Sequence, residues 1–405
     1  MNLTIEEIQE LQNKMDNKLP LEAMKKLFSM LPEGFSPQLI LPMLSDAAKG
    51  ISENASVEEI VKTVSGKMRK ASAPPENPAA DSKRIVRDYF DTLLVEMRLM
   101  DSVEPSTEAE FFGCKFSSPI MNAALSHLGT FHPDWDGPME KYAEAALKAN
   151  VLHWVGMIEN DQFEQIMKIG AKTVRIVKPY KDEDKIISQL EQAGELGAVA
   201  VGMDIDHTFT KTGNIDVVIG EEMAVKSSWQ LLEYSKIAKL PFVIKGVLSV
   251  HDAVKCAEIG ASAIVVSHHG GRIPYAAAPV QVLPDIIREV GSLMTIIVDC
   301  GIESGYDAYK AMALGADGVS VGTHLIPVIQ NGTADDVADR ISEMTAELKG
   351  MMAYTGVKDC SSFDPSVIHR RYETSYRNYY SRIFVESSGC SLSIILTLLP
   401  PLHSE

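Results

Sequence analysis

The sequence predicts an α/β fold, a (β/α)8 TIM barrel with an N-terminal helical extension. From about residue 118 to residue 330, eight short apolar runs alternate with amphipathic segments of helical spacing. Several of these segments end in glycine just before the next run, where a helix needs a left-handed residue. Polar residues recur at the ends of successive runs, which packing alone does not predict. A doubly wound open sheet is the main alternative, but no GxGxxG pattern follows the first predicted strand.

The predicted strands are, in chain order, PIMNAA, VLHWVG, TVRIV, AVAVGMD, PFVIK, SAIVVS, TIIVDC and GVSVG. Barrel enzymes carry their functional residues at the C-terminal ends of the strands. We therefore expect the site among the residues that end strands four to eight: Asp204, Lys245, 267–269, Asp299 and Gly322.

The segment before the barrel is predicted to be helical. Thr4 with Glu7, and Ser56 with Glu59, fit the capping-box pattern ahead of apolar residues at helical spacing. This segment contains no catalytic constellation, so we interpret it as a surface for packing or partner contact. The predicted organisation is an extension over 1–71, a proline-rich linker over 72–83, a barrel over 84–360 and a tail over 361–405.

Charge and composition argue against several classes of partner and location. The net charge of −17 argues against binding to nucleic acid or to an anionic membrane surface. The five cysteines form no CxxC pair and are typical of reduced thiols in the cytoplasm. The N-terminus lacks the pattern of a secretory signal, and the apolar CSLSIILTLLPPL near the C-terminus is too short to span a bilayer. We expect a cytoplasmic protein.

The hexapeptide SHHGGR, residues 267–272, follows the sixth predicted strand. A histidine with a pKa near neutrality is the usual general base. His268 and His269 are neighbours on a strand and would face opposite sides, so only one of them can address the barrel mouth. The two glycines allow a sharp turn, and Arg272 offers a planar fork suited to a carboxylate.

Lys245 ends the apolar run PFVIK, which predicts a buried stem and an ammonium at the barrel mouth. Such a group is costly unless it meets an anion or a developing negative charge. The glycines of 301–305 and Gly322 with Thr323 lie at strand-to-helix turns whose backbone N–H groups can cradle a phosphate. Asp299 can accept hydrogen bonds from a polyol such as a ribityl chain.

With these motifs, the region from about 84 to 330 resembles the FMN-dependent α-hydroxy acid oxidases and dehydrogenases, which include glycolate and lactate oxidases. The matching stretches are LPFVIKGVLSVHDAVKCAEIGASAIVVSHHGGR, APVQVLPDIIREVG and TIIVDCGIESGYDAYKAMALGADGVSVG. The resemblance implies FMN as cofactor and a small 2-hydroxy acid as substrate. It also makes a homo-oligomer the expected assembly.

The resemblance implies a role for each matching residue. His269 would take the substrate proton, Arg272 would bind the substrate carboxylate, and Lys245 would stabilise the negative charge of the reduced flavin. A second substrate contact falls at Lys211. The remaining flavin contacts would be Ser126, Ser267 and Asp299, with Gly301, Ser304, Gly322 and Thr323 around the phosphate.

The sequence departs from the family at several of these places. Members usually carry arginine in both phosphate turns, where this chain has Glu303 and Thr323. The N-terminal active-site tyrosine has no counterpart, and a tyrosine and a glutamine of the third strand align with Val177 and Arg175. These departures predict a changed substrate or reduced activity. A catalytically altered or inactive flavin-binding barrel and a non-flavin barrel enzyme for a phosphorylated ligand, with Lys245 as electrophile, stay open as alternatives.

Overall fold

The computed structural model describes residues 78–128 and 135–371, together with short pieces at 8–9, 12, 19–29, 56–57 and 59–61. Within the predicted extension it shows the helix Leu21–Ser29. The capping box at Ser56 is present, because Glu59 N–H donates to Ser56 Oγ at 3.3 Å and Ser56 N–H donates to Glu59 Oε2 at 2.9 Å. The Thr4–Glu7 capping box and residues 372–405 of the predicted tail lie outside the described residues.

Eight parallel strands form the predicted barrel, and the open-sheet alternative is wrong. Each strand pairs with its neighbours in chain order from β2 round to β8, and β8 pairs with β1. Between β1 and β2 the ring is closed by Asn122 N–H to Leu152 O at 3.2 Å and Gly156 N–H to Leu125 O at 2.9 Å. The strands are β1 Ile120–Asn122, β2 His153–Val155, β3 Thr173–Val177, β4 Ala200–Asp204, β5 Phe242–Val247, β6 Ala263–Val266, β7 Thr295–Val298 and β8 Gly318–Val321.

The strands are apolar on both faces because each face is covered. One set of side chains fills the barrel interior, and the alternate set packs against the surrounding helices. Trp154, Val174, Ile176 and Val243 belong to the interior set and are almost fully buried. Because the interior is packed with side chains, a ligand site can form only at an open end of the barrel.

The helices alternate with the strands as predicted. They are Pro138–Ala149, Asn160–Ile169, Glu183–Glu195, Ser228–Ala238, Val250–Glu258, Pro279–Val290, Gly305–Ala313, Ile326–Asn331 and Ala334–Tyr354. Side chains cap several of their N-termini, among them Asp182, Ser227, Ser249, Ser304 and Thr333. At the other end of the barrel, the hairpin of Ala109–Phe111 with Cys114–Phe116 inserts Phe111 and Phe116 into the interior.

One further helix, Ser82–Thr92, crosses the C-terminal end of the barrel, and we call it the covering helix. It begins at the cap Asp81, inside the predicted linker, and buries Val86 and Phe90. Ser82 Oγ donates to Ile273 O at 2.6 Å and accepts from Ala276 N–H at 3.1 Å. The strand Leu93–Val95 that follows pairs antiparallel with Ile368–Arg370 after the last helix. The segments that precede and follow the barrel in sequence are thus paired with each other.

Among the described residues, no helix combines the length and the apolar character needed to cross a bilayer. The cysteines in this part of the chain are free thiols: Cys114, Cys256, Cys300 and Cys360.

Candidate functional site

A cavity of about 610 Å³ opens at the C-terminal ends of the barrel strands. Its walls come from the end of β1, from the ends of β5 to β8 with the turns after them, and from the covering helix. Six residues predicted for the site line it: Lys245, His269, Asp299, Gly301, Gly322 and Thr323. The sequence therefore identified the correct end of the barrel for the cavity.

Lys245 is a buried cation among carboxylates. Its side chain is 5% exposed, and its Nζ lies 3.7 Å from Asp204 Oδ1 and 3.6 Å from Asp299 Oδ2. Burial alone would lower the pKa of Lys245, but the carboxylates of Asp204, Asp206 and Asp299 outweigh burial and raise it. The ammonium is therefore charged at physiological pH, and one wall of the cavity carries a fixed positive charge.

A β-bulge at the end of β5 brings Asp206 next to this lysine. The pairing of β5 with β6 shifts register between Lys245 and Val247, and Gly246 between them has a φ of 92°. A Cβ on Gly246 would lie 2.6 Å from Asp206 Oδ2. Only glycine therefore allows the segment after β4 to approach β5 this closely.

Asp204, at the end of β4, is held by a second lysine that the sequence reasoning missed. Lys178 Nζ donates to Asp204 Oδ2 at 2.5 Å, and both side chains are buried. Burial alone would raise the pKa of Asp204, but the ammoniums of Lys178 and Lys245 hold it well below its usual range. Asp204 is therefore an anion placed between two cations.

The third strand explains why Lys178 was missed. Val174 and Ile176 point into the barrel, so the alternation places residue 178 at the mouth. Arg175 points outward, where it donates to Gln192 Oε1 at 2.7 Å and to Asn160 Oδ1 at 2.9 Å. Val177 packs in the outer core. The alignment of Val177 and Arg175 with the tyrosine and the glutamine of the family's third strand is thus wrong, because neither side chain reaches the barrel mouth. The alternation of side chains along TVRIVK could have identified Lys178 instead.

Both histidines line the larger cavity, so the expectation that only one of them reaches it is wrong, and His269 is the one that meets the carboxylates. It adopts a left-handed conformation, with a φ of 52°, and its N–H donates to Ser267 Oγ at 3.0 Å. Its Nδ1 lies 3.2 Å from Asp204 Oδ2 and 3.0 Å from Asp206 Oδ1. Burial and the Lys245 ammonium oppose protonation, but the two carboxylates outweigh them and raise the pKa of His269 above its ordinary value.

His207, also missed from the sequence, contacts the other side of this ring. Its Nε2 lies 3.3 Å from His269 Nε2, and the two rings meet edge to face with centroids 4.3 Å apart. Burial and the nearby Lys178 lower the pKa of His207 to about 2, so the imidazole is neutral. His207 Nδ1 also lies 3.5 Å from Asp216 Oδ2. The stretch DIDH after β4 was the available signal, because it places two further titratable groups beyond the strand end.

Four ligand-type groups therefore converge here, within 4.8 Å of one another: Asp204, Asp206, His207 and His269. The ammoniums of Lys178 and Lys245 both lie beside the Asp204 carboxylate of this cluster. Its chemistry is that of a histidine base held by carboxylates beside a fixed cation.

Arg272 lies in a neighbouring cavity of about 400 Å³ with Ser267. Its Nη2 donates to Asp216 Oδ2 at 2.5 Å and to Phe209 O at 2.5 Å, while its buried Nε lacks a partner in the described part of the chain. His268 lines both cavities and is buried. The structure thus places Lys245 and His269 in one cavity and Arg272 in the next, connected through His207 and Asp216.

Three predicted contacts lie outside both cavities. Ser126 Oγ accepts from Met157 N–H at 2.8 Å. Ser304 Oγ accepts from Asp307 N–H at 3.2 Å and so caps the helix Gly305–Ala313. Lys211 is exposed in the loop after β4, away from His269 and Arg272. The proposed flavin or substrate roles of these residues stay predictions.

The far end of the larger cavity is built from backbone. The N–H groups of Gly301, Ile302, Thr323 and His324 donate to no acceptor among the described residues. Each of these residues lines the cavity, and Ile302 is buried. Backbone N–H groups without a partner at the end of a cavity indicate a site for an anion such as phosphate.

Comparison with known proteins agrees with this geometry. A family model described as FMN-dependent dehydrogenase matches residues 79–233 and 210–370. The chain belongs to the family of FMN-dependent dehydrogenases. In this family the cofactor is FMN, and the residues present fit it, since unpaired N–H groups suit its phosphate and the buried ammonium of Lys245 suits its ring system.

The relatives that this chain resembles include proteins named as oxidases of hydroxy acids. A 4-hydroxymandelate oxidase of Amycolatopsis orientalis is 25% identical, covering 65% of this chain and 82% of the relative. An L-lactate oxidase of Lactobacillus jensenii is 29% identical, covering 65% and 72%. A mandelate oxidase variant solved with a monooxide FMN adduct superposes with a TM-score of 0.64 at 25% identity, covering 78% of this chain and 99% of that chain.

Proposed function

We propose that this chain oxidises a small 2-hydroxy acid to the 2-oxo acid, with FMN in the larger cavity. One observation carries the proposal: the Lys245 ammonium and the His269 imidazole lie together, with Nζ 3.2 Å from Nδ1, at the mouth of a cavity whose other end presents unpaired N–H groups. The names of the relatives, which include lactate and hydroxymandelate oxidases, supply the substrate class.

His269 takes the proton of the substrate hydroxyl in this proposal. The neutral imidazole is the active form of the base, and the imidazolium formed is stabilised by Asp204 and Asp206 at Nδ1. FMN, when bound, would supply the acceptor for the α-hydrogen and the two electrons that leave the α-carbon. Lys245 is a fixed cation before the reaction and would stabilise the negative charge that the flavin ring would gain, so the protein around that charge would need little reorganisation.

Arg272 binds the substrate carboxylate in this proposal, and Asp216 holds the arginine in place until substrate arrives. The guanidinium offers five N–H donors, so an incoming carboxylate can share the fork with Asp216 or displace it. The neighbouring cavity beside Arg272 then gives room for the substrate side chain.

Absorbance of the freshly purified full-length protein tests the proposal. We expect a flavin spectrum that bleaches under anaerobic conditions when the correct hydroxy acid is added. The panel should span lactate and mandelate, because the relatives' names span both. Protein without flavin in a heat extract would contradict the proposal and favour a barrel enzyme for a different phosphorylated ligand.

A second candidate function is supported by the Arg272–Asp216 pair. If that ion pair stays closed, the chain is a flavin-binding barrel that no hydroxy acid reduces. Replacing Asp216 with Asn distinguishes the two: the oxidase predicts an altered KM with flavin retained, whereas the inert barrel predicts flavin that stays oxidised in both proteins. A cytoplasmic location and a homo-oligomer stay predictions, the latter open to sedimentation velocity.

A further inference from the structure

At the phosphate end of the larger cavity, the backbone favours an anion but a side chain repels one. Its turns supply unpaired N–H groups, yet the side chain that stands in the 301–303 turn is the acid Glu303, and Thr323 in the other turn is neutral. A phosphate monoester carries a charge of roughly −1.5 to −2 at neutral pH. The turns alone therefore leave this charge uncompensated and place a carboxylate beside it.

Cations reach the same place from outside the barrel. Lys83, Val86 and Arg87 of the covering helix line the cavity, and their i, i+3, i+4 spacing puts them on one helix face. Gly301 permits this approach: it has a φ of 77°, and a Cβ there would lie 2.2 Å from Val86 Cγ1. The covering helix thus packs directly on the turn that carries the unpaired N–H groups.

Arg87 is held rigidly at this turn. It donates two hydrogen bonds to Asp307, Nη2 to Oδ1 at 2.7 Å and Nη1 to Oδ2 at 3.1 Å, and its Nε lies 3.3 Å from Asp91. Nη1 lies 3.9 Å from Glu303 Oε2. A guanidinium has five N–H donors, so Arg87 keeps one on each Nη for a further anion. Lys83, one turn earlier, makes no ion pair with any described residue.

We propose that the covering helix supplies the cationic part of the FMN phosphate site, through Arg87 as the main contact and Lys83 as a second charge. This rests on the proposed flavin-binding function. Fixed N–H groups of the two turns orient the phosphate, and Arg87 and Lys83 bring positive charge beside it.

The experiment compares FMN with riboflavin, which has the same ring and ribityl chain but no phosphate. Full-length protein stripped of flavin is titrated with each, and quenching of flavin fluorescence gives both dissociation constants. Arg87→Ala should weaken FMN about 10-fold or more, because a charge-assisted hydrogen-bond pair is lost. Its affinity for riboflavin should stay within about twofold, since no phosphate is involved.

Arg84→Ala is the matched control. Arg84 lies on the same helix, pairs with Asp88 at 3.3 Å, and does not line the cavity. It should leave both affinities unchanged. If Arg87→Ala leaves the ratio of the FMN and riboflavin dissociation constants unchanged, the proposal is overturned. Failure of the unsubstituted protein to bind either flavin would instead contradict the proposed function itself.

Two further variants cover the case in which loss of Arg87 prevents folding, since it would leave the buried Asp307 without its guanidinium partner. Lys83 is exposed, so Lys83→Ala should fold and should weaken FMN about threefold with riboflavin unchanged. Glu303→Gln removes the repulsive charge and should tighten FMN by a similar factor. If neither variant changes the FMN-to-riboflavin ratio, the covering helix does not compensate the phosphate.

Discussion

The two ends of the larger cavity are built in opposite ways. At the mouth, Lys178, Lys245, Asp204 and Asp206 are side chains from strand ends and their turns, and their charges compensate one another. At the phosphate end the turns after β7 and β8 deliver backbone N–H groups but no lysine or arginine that lines the cavity, and such cations come from the covering helix. The mouth therefore holds its ion pairs before any ligand binds, whereas the N–H groups of the far end would find their partner in the ligand.

This difference indicates which end serves the chemical step and which end serves cofactor binding. A preformed network of buried charges favours chemistry, because its dipoles and ions are fixed before the reaction begins. A set of unpaired N–H donors favours binding, because a ligand with acceptor atoms supplies their missing hydrogen-bond partners. Substitutions at the mouth should therefore change turnover and stability, while those at the phosphate end should change cofactor affinity.

The largest expected effect at the mouth comes from His269→Gln. Loss of the general base should lower the anaerobic rate of flavin reduction by about 10²- to 10⁴-fold. FMN should stay bound, because the phosphate end is intact. Stopped-flow absorbance with saturating hydroxy acid measures the rate. Full reduction at the unsubstituted rate would remove His269 from its proposed role.

Lys178→Met should give the next largest effect, on stability. The substitution leaves Asp204 buried with one partner fewer, and breaking a buried ion pair costs about 3–5 kcal/mol. The exposed pair Lys181–Glu222 provides a control, because Lys181→Met should cost about 1 kcal/mol or less. Urea unfolding of both variants measures the difference, and equal losses would show that the network at the mouth contributes little.

Asp206→Asn should give the smallest effect, a shift in pH dependence. The neutral form of His269 is the base, so its raised pKa places the acid limb of kcat/KM above the ordinary range of histidine. Removing a carboxylate 3.0 Å from Nδ1 destabilises the imidazolium and lowers that pKa. The acid limb should therefore move to lower pH. An unchanged profile would assign the limb to another group.

Sequence alone predicted the barrel and six of the residues that line the cavity, because strand periodicity and strand-end position are local properties. It missed Lys178 because Arg175 and Val177 of β3 were taken as the positions that face the barrel mouth, although their side chains point outward. It missed the role of Arg87, because the approach of the covering helix to residue 301 depends on tertiary packing between distant segments. It also placed Arg272 with His269, although Asp216 draws the guanidinium into the next cavity.

The hydrogen bonds of Ser82 to the loop after β6 have a consequence for how the protein assembles. They join positions 191 and 194 residues apart in sequence, from the start of the covering helix to the loop that follows His269. During synthesis the helix leaves the ribosome long before its anchor exists, because chains are made from the N-terminus. Contacts of such long range form late. The covering helix can therefore be anchored only after six of the eight strands have been translated, and the cavity itself is complete only after β7 and β8 with the turns that follow them.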